Sequence, residues 1–278
     1  MTPAELDLVA RLCLVRTGRR LDISEPDQIL IRLTGLARRE GFGTVADLLI
    51  ALRTRETERL AWPLIECLTV FERDFMEDAE VLDQLGHRIL PTLSTARGGA
   101  PVRIWCPASG SGQEPYSMAM LAQEAMDRLS DGLQVEIYAS DISTRALERA
   151  RTGLFNHFEV QKGLTARRLV DHFLRREDSW QVSPALREMV RWRRVNPLSE
   201  TPGGVRFDII LCRGVLPRTA PHMRPNLVLN LAQALSPGGL LILGQGEGEG
   251  AEDLAPAMNP LAGMPAIYTR NPAFSLAA

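Results

Sequence analysis

The chain has 278 residues, of which 45% are hydrophobic and 24% are charged, and its formal net charge is −2. A chain of this length and apolar content can bury one large core or two modest ones. The slightly negative charge argues against a protein that binds nucleic acid through bulk positive charge.

The cysteine and histidine residues are scattered along the chain. The four cysteines form no C-x-x-C motif, and the four histidines form no H-x-x-x-H motif. These spacings predict reduced core cysteines and no metal site. The N-terminal sequence lacks a basic segment followed by an apolar one, and no apolar run approaches about 18 residues. We therefore expect a cytoplasmic protein with no direct membrane insertion and no nucleic-acid partner.

Residues 1–76 are expected to form a small helical domain. Apolar residues recur at helical spacing in several segments of this region, and the segments are separated by glycine turns. Helix-terminating and helix-capping residues are predicted at Gly18, at Asp22 or Ser24, at Gly41 and at Thr44.

Three arginines, Arg32, Arg38 and Arg39, lie on or near the polar side of the second predicted helix. Two interpretations of this basic face are open. It is either an ordinary solvated face, which is the favoured interpretation, or a docking surface for an acidic helical partner.

From Val102 onward the sequence alternates between strand and helix patterns. A linker helix and a loop of small residues are expected over 77–101. The alternation over 102–278 predicts an α/β domain with a mostly parallel sheet and helices on both faces. Residues 179–194 show short alternating stretches instead, which predict a small antiparallel β-subdomain inserted around this position.

The stretch Val102–Ser117 reads as a buried strand, a loop of small residues and the start of a helix. Such a loop lets a nucleotide-like ligand approach bare backbone at a helix N-terminus. The next predicted strand ends in Asp141, which is placed to accept hydrogen bonds from a ribose diol. Gly110 and Gly112 fit only a G-x-G pattern, which also occurs in ordinary tight turns. The combination with Asp141 favours a cofactor site.

Several stretches in register resemble the chemotaxis protein methyltransferases (CheR type), which transfer a methyl group from S-adenosylmethionine to receptor glutamates. The matching stretches are Thr69–Asp74 (TVFERD, similar to T-x-F-F-R-D), Ser111–Ser117 (SGQEPYS), Ala139–Ile142 (ASDI), Asn196–Leu198 (NPL), Cys212–Leu216 (CRGVL) and Pro237–Gly239 (PGG). The resemblance covers nearly the whole chain. It implies a Rossmann-like methyltransferase domain preceded by a small all-helical, receptor-docking type of domain.

The resemblance also implies roles for individual residues. Glu114 would bind the amino group of the methionine moiety and Asp141 the ribose hydroxyls, and we expect both to lie outside the core. Asn196 and the backbone of Pro197 would border the adenine. The remaining candidates are Thr69 and Arg73, which would reach in from the N-terminal domain, Arg213, which would line the pocket, and Gly214, which stands at a cofactor-contacting position. Structural alternatives exist: Thr69 as a helix cap, Arg73 paired with Asp74 or Glu77 at the surface, and Asn196 as a turn residue.

Four positions depart from the family pattern. Gly214 replaces an asparagine, Arg218 a tyrosine near the transferred methyl group, Cys67 an asparagine and Glu72 a phenylalanine. The substitutions at Gly214 and Arg218 could reduce turnover. Arg218 would either point outward or pair with an acid such as Glu72 or Glu247.

Methylation of a glutamate needs neither a general base nor a metal, because the acceptor has a pKa of about 4.3 and is already anionic at neutral pH. Positioning of the acceptor is the main task, and Arg73 is the catalytic candidate that would steer its carboxylate. We expect S-adenosylmethionine as cofactor, S-adenosylhomocysteine as product, and as partner a chemoreceptor or other signalling protein with acidic methylation helices. The main alternative is a catalytically impaired signalling module that keeps the methyltransferase fold. A small-molecule methyltransferase is a third hypothesis, weakened by the helical domain.

Overall fold

The computed structural model describes residues 1–54, 57–69, 73–129, 132–248 and 252–274. The chain forms two compact units. One consists of Met1–Val70 and Arg218–Met223, and the other of Phe71–Pro217 and Arg224–Ala278. The domain boundaries that the sequence suggests at residues 76 and 101 stay predictions.

The described part of the first unit is helical, as the sequence predicts. Its helices are α1 (Pro3–Thr17), α2 (Pro26–Arg39), α3 (Val45–Arg53) and α4 (Thr57–Thr69). Their buried apolar side chains, among them Val9, Leu33, Leu48 and Leu64, form the interior of this unit. Among the described residues, no helix is long and apolar enough to cross a membrane.

The ends of these helices follow the local sequence at three of the four predicted positions, since Gly41, with a φ of 82°, also follows the end of α2. Gly18 ends α1 with a φ of 72°, and Thr44 forms a capping box with Asp47 at the start of α3. The prediction for α2 is wrong, because neither Asp22 nor Ser24 caps the helix. These two side chains bond to each other instead, and the helix begins at Pro26, whose fixed φ suits the first helical position.

The basic face of α2 is solvent-exposed. Arg32, Arg38 and Arg39 are all exposed, although Arg32 Nη1 donates to the carbonyl of Leu68 at 3.4 Å and Arg39 Nε lies 3.9 Å from a carboxylate oxygen of Glu40. The three guanidinium groups therefore form a positively charged surface on this helix.

A short segment from late in the chain completes the helical unit. Thr219 forms an antiparallel bridge with Arg19, and the Arg20 N–H donates to the carbonyl of Arg218 at 2.7 Å. The Ala220 N–H donates to the carbonyl of Gly18 at 3.0 Å, and Thr219 and Ala220 are buried. Residues 218–223 thus extend the turn that follows α1.

The second unit carries the sheets. Its helices are α5 (Ala79–Gln84), α6 (Leu90–Arg97), α7 (Gln113–Arg128), α8 (Thr144–Thr152), α9 (His157–Gln161), α10 (Ala166–His172), α11 (Pro184–Glu188) and α12 (Arg224–Ala234). Its strands are β1 (Val102–Pro107), β2 (Val135–Asp141), β3 (Leu154–Asn156), β4 (Phe173–Arg176), β5 (Ser179–Val182), β6 (Val190–Arg194), β7 (Phe207–Leu211), β8 (Leu235–Ile242), β9 (Met258–Leu261) and β10 (Met264–Arg270).

Seven strands form the main sheet, in the order β6-β2-β1-β7-β8-β10-β9. The first five pair in parallel, and β10 runs antiparallel to both β8 and β9. Strand order reverses on either side of β1, so the loops after β1 and β2 leave the same edge of the sheet at a topological switch point. This architecture confirms the predicted Rossmann-like α/β fold.

Alternate residues of the central strands pack on opposite faces of this sheet. Ile104 and Cys106 of β1 pack with α7 on one face, whereas Trp105 packs with Phe207 and the apolar side of α12 on the other. Near-continuous burial of both faces is typical of a parallel sheet covered by helices.

The small antiparallel sheet is present, but it lies earlier in the chain than predicted. It has three strands in the order β3-β5-β4 and spans 154–182 rather than 179–194. Strand β6 (Val190–Arg194) instead pairs in parallel with β2. Because β6 is an edge strand with several exposed side chains, its sequence alternates like that of an antiparallel strand.

Candidate active site

The loop of small residues after β1 follows the predicted course. Ala108, Gly110 and Gly112 all have positive φ, and α7 begins at Gln113. A Cβ at Gly112, where φ is 104°, would lie 2.9 Å from the Trp192 ring and 3.2 Å from the Cβ of Ala150. Glycine is therefore required there by both backbone conformation and space.

Asp141 ties this loop to the end of β2. One carboxylate oxygen accepts from the Gly110 N–H at 3.0 Å, and the other accepts from the Ser143 N–H at 2.9 Å. Each carboxylate oxygen of Asp141 can accept a further hydrogen bond. Asp141 is buried, so the expectation that it lies outside the core is wrong. The backbone donors that hold Asp141 inside come from loops that sequence periodicity does not describe.

Glu114 lies in the first turn of α7, and its side chain is only 2% exposed, which also contradicts the sequence expectation. Its Oε1 is 3.1 Å from Arg213 Nη1 and 3.9 Å from Arg73 Nε. Neither carboxylate oxygen accepts a hydrogen bond from any described residue. Burial raises the pKa of Glu114, and the two guanidinium groups offset only part of that increase. A cationic ligand would satisfy this carboxyl group.

Arg213 connects Glu114 to the loop before α5. Its Nη2 donates to the carbonyl of Glu77 at 3.0 Å and to a carboxylate oxygen of Asp78 at 2.9 Å. Met76 and Asp78 have φ values of 51° and 56°, and this sparsely populated conformation is held in place by Arg213 and by the Met76 N–H···Ser117 Oγ bond. Arg213 therefore anchors a strained loop as well as facing Glu114.

Arg73 enters the same group of charges. Its Nη1 donates to a carboxylate oxygen of Glu77 at 3.0 Å. The pairing with Glu77 that the sequence allowed is present, but Arg73 is buried and the pair is not a surface pair. Burial lowers the pKa of Arg73, yet the neighbouring carboxylates of Glu114 and Glu77 outweigh it and raise that pKa overall.

Gly214 and Glu247 adjoin the same charged group. Gly214 has a φ of 68°, and its N–H donates to Glu247 Oε1 at 2.6 Å. Sequence reasoning did not include Glu77, Asp78 or Glu247 among the site residues. The sequence holds only an indirect indication of these three acidic residues. Two arginines are predicted at one site, and buried arginines require acidic partners.

Asn196 and Pro197 follow β6 at the same edge of the sheet. Val195 N–H donates to the carbonyl of Asp141 at 3.2 Å, which brings this loop next to the end of β2. Asn196 Oδ1 accepts from the Leu198 N–H, so the asparagine also has the turn role that the sequence allowed. The Pro197 carbonyl accepts from Asn230 Nδ2 at 3.2 Å.

Thr69 and Arg218 belong to the helical unit. Thr69 Oγ1 donates to the carbonyl of Ile65 at 2.6 Å, and the Thr69 carbonyl accepts from Arg19 Nη1. The Arg218 side chain is half-buried. Glu72, one of the partners suggested for Arg218, lies outside the described residues.

Arg73, Glu114, Arg213 and Gly214 thus form one buried charged cluster, beside the loop that Asp141 holds. No group of three or more His, Cys, Asp or Glu side chains with the arrangement of a metal site occurs in the described ranges. A glycine loop at the carboxyl edge of parallel strands, an aspartate ending the neighbouring strand and a buried carboxyl in the following helix define a Rossmann-like site for a nucleoside cofactor.

Comparison with known proteins identifies the family. Residues 72–254, more than half of the chain, match the family described as CheR methyltransferase, SAM binding domain. The chain belongs to this family, and its cofactor is S-adenosylmethionine.

Several curated relatives are named chemotaxis protein methyltransferase. Chemotaxis protein methyltransferase 1 of Pseudomonas aeruginosa is 32% identical over 78% of this chain and 80% of its own length. Chemotaxis protein methyltransferase of Vibrio parahaemolyticus is 32% identical over 81% of this chain and 82% of its own length. Among solved structures, a TehB-like SAM-dependent methyltransferase from Corynebacterium glutamicum matches at 15% identity, over 70% of this chain and 95% of that chain. The TM-score of this match is 0.37.

The site residues fit this cofactor. S-adenosylmethionine carries an ammonium group, a sulfonium and a ribose diol, which call for carboxylates in the pocket. Glu114 has two buried oxygens that accept no hydrogen bond within the described ranges, and Ser109 Oγ is likewise buried without such a partner there. A buried polar group without a hydrogen bond is unfavourable, so these atoms suit a polar ligand.

The affinity for S-adenosylhomocysteine is expected to fall as the pH is lowered from about 7.5 to about 5. Burial raises the pKa of Glu114, so the carboxyl group takes up a proton at a higher pH than an exposed glutamate does. If Glu114 binds the ligand ammonium group, that group favours the ionised carboxylate, so protonation competes with binding. Calorimetry at several pH values tests this. Glu114→Gln should bind more weakly with little dependence on pH, and an unchanged pH profile in that variant would contradict the assignment.

Proposed function

We propose that the protein methylates glutamate side chains of a chemoreceptor or related signalling protein in the cytoplasm, with S-adenosylhomocysteine as the other product. The observation that carries the proposal is the buried cluster beside the glycine loop. There Glu114 Oε1 lies 3.1 Å from Arg213 Nη1, and neither Glu114 oxygen accepts a hydrogen bond from a described residue. The relatives from Pseudomonas aeruginosa and Vibrio parahaemolyticus are named chemotaxis protein methyltransferase, which supports the same class of acceptor.

Each candidate residue has a proposed task in this reaction. Glu114 binds the ammonium group of the cofactor, and Asp141 binds the ribose hydroxyls. Asn196 and the backbone of Pro197 border the adenine, while Arg213 and Gly214 line the pocket. When bound, the cofactor supplies an electrophilic methyl group on its sulfonium.

Arg73 is the proposed catalytic residue. Its guanidinium forms charge-assisted bonds to carboxylates, as its bond to Glu77 illustrates, and an acceptor glutamate offers the same chemistry. Orientation of an anionic acceptor and exclusion of water account for the catalysis, because an ionised glutamate needs no general base.

Two departures from the family pattern, Gly214 and Arg218, favour a second candidate function, a methyltransferase-fold signalling module without turnover. A methyl-transfer assay with labelled S-adenosylmethionine and receptor fragments separates the two functions. We expect slow but measurable transfer by the wild type. The double variant Gly214→Asn/Arg218→Tyr restores the family residues, and asparagine tolerates the positive φ at position 214. An inactive wild type together with an active double variant would establish the signalling module instead.

The alternative interpretation of the basic face of α2, a docking surface for an acidic partner, has a direct test. Reversal of charge at Arg32, Arg38 and Arg39 should slow methylation of a receptor fragment by about an order of magnitude at low salt. The affinity for S-adenosylhomocysteine should stay unchanged. The effect should shrink as salt rises, because exposed charges are screened over about 8–10 Å. Arg167→Glu, at an exposed position of the second unit, is the control. An unchanged methylation rate in the triple variant would show that this face is an ordinary solvated surface.

A further inference from the structure

Glu247 follows β8 and folds back onto the Arg213–Gly214 turn. Its Oε1 accepts from the Gly214 N–H at 2.6 Å. Its Oε2 is buried and has no hydrogen-bond partner among the residues that the structure describes. One oxygen thus fixes the carboxyl group in place, and the other is left for a ligand.

A glycine makes room for this arrangement. A Cβ at Gly244 would lie 2.7 Å from Glu247 Cδ and still closer to Oε1. The φ of Gly244 is not positive, so an alanine is compatible with the backbone. A methyl group at this position would push aside only the far end of the flexible glutamate side chain. The substitution Gly244→Ala should therefore displace the Glu247 carboxyl group without changing its charge.

The surrounding cluster carries excess negative charge. Arg73 and Arg213 supply two formal positive charges, whereas Glu77, Asp78, Glu114 and Glu247 supply four negative ones. Glu247 lies close enough to contribute to raising the pKa values of both Glu114 and Arg73. Glu114 is buried and the other three acids are half-buried, so this excess of negative charge is unfavourable unless cationic groups offset it.

We propose that Glu247 is a specificity-determining residue that interacts with the positive charge of the cofactor sulfonium, while Glu114 interacts with the ammonium group. The cofactor brings two cationic centres, and the cluster holds two carboxyl groups with buried oxygens that lack hydrogen bonds in the described part of the chain. The inference rests on the S-adenosylmethionine site of the proposed function. It follows that Glu247 favours the sulfonium substrate over the uncharged thioether product.

Calorimetric binding of three ligands tests this assignment. S-adenosylmethionine carries the sulfonium, S-adenosylhomocysteine lacks that charge, and sinefungin has a carbon with an ammonium group in place of the methylated sulfur. Glu247→Gln keeps an acceptor for the Gly214 N–H and removes the charge. We expect it to weaken S-adenosylmethionine and sinefungin by about tenfold and S-adenosylhomocysteine by less than about threefold. Glu114→Gln should weaken all three ligands alike, because all three keep the ammonium group.

Two further variants make the test independent of any folding defect. Gly244→Ala should reproduce the selective loss by displacing the Glu247 carboxyl group, and it serves in place of Glu247→Gln if that protein does not fold. Glu148→Gln, at an exposed position on α8, is the matched control and should change nothing. Equal weakening of all three ligands by both Glu247→Gln and Gly244→Ala, or no weakening, would overturn the inference while leaving the proposed function intact. A wild type that binds none of the ligands would overturn both.

Discussion

Replacement of Arg213 by methionine is expected to lower the free energy of unfolding by about 3–5 kcal/mol. The Arg213 side chain is 2% exposed and lies between Glu114, Asp78 and the carbonyl of Glu77. Methionine fills much of the same volume but removes the cation beside Asp78 and leaves Glu114 with only the more distant Arg73. The strained backbone at Met76 and Asp78 also loses its main side-chain anchor. Urea unfolding monitored by circular dichroism measures the change.

A second substitution identifies the origin of this loss. In Arg213→Met/Glu114→Gln the buried charge opposite Arg213 is also removed, so the double variant should recover part of the lost stability. Arg167→Met, at an exposed pair with Asp171, should change stability by less than about 1 kcal/mol and is the control. If Arg213→Met and the wild type have the same urea midpoint of unfolding, the stability of the protein does not depend on this arginine.

Replacement of Asp141 by alanine is expected to weaken S-adenosylhomocysteine by about tenfold or more, since two ribose hydrogen bonds of the proposed contact are lost. The same change should lower the free energy of unfolding by about 1–3 kcal/mol, because the Gly110 and Ser143 N–H groups lose their acceptor. The sequence predicts that Asp141 lies outside the core, where its removal would leave the stability unchanged. Burial of Asp141 leads to the opposite expectation.

Ser143→Ala is the matched control for this loss of stability. Ser143 caps α8 through an Oγ bond to the Ala146 N–H, so its removal should cost about 1 kcal/mol. It takes no part in the proposed ribose contact, and the affinity should remain that of the wild type. If Asp141→Ala and Ser143→Ala weaken the ligand equally, the affinity loss reflects local unfolding and Asp141 does not bind the ribose.

Local sequence predicts the parts of this fold that depend on neighbouring residues. The Thr44 capping box, the αL glycine after α1 and the strand–loop–helix at Val102–Ser117 are each set within a few residues. The order of the motifs along the chain also predicts that Asp141 lies at the end of β2. These features are confirmed because their causes are short-range.

Features that depend on distant parts of the chain could not be predicted in this way. The assignment of β6 to the main sheet depends on pairing with β2, not on its own alternating pattern. The Gly214–Glu247 bond joins residues that sequence spacing does not relate. Likewise, nothing near Glu114 in the sequence indicates that it is buried between two arginines.

The segment Arg218–Met223 limits how the helical unit can be exchanged between related proteins. Because the helical unit contains residues from both the beginning and a late part of the chain, it is not a module that recombination could move in one piece. A chimaera that exchanges only the first 70 residues would pair a foreign Arg19 and Gly18 with the native Thr219 and Ala220. Sequence changes around Gly18 and Arg19 can therefore be accommodated only together with changes in residues 218–223, which lie within the sequence of the second unit. Exchange of both segments is the smallest graft that preserves the pairing.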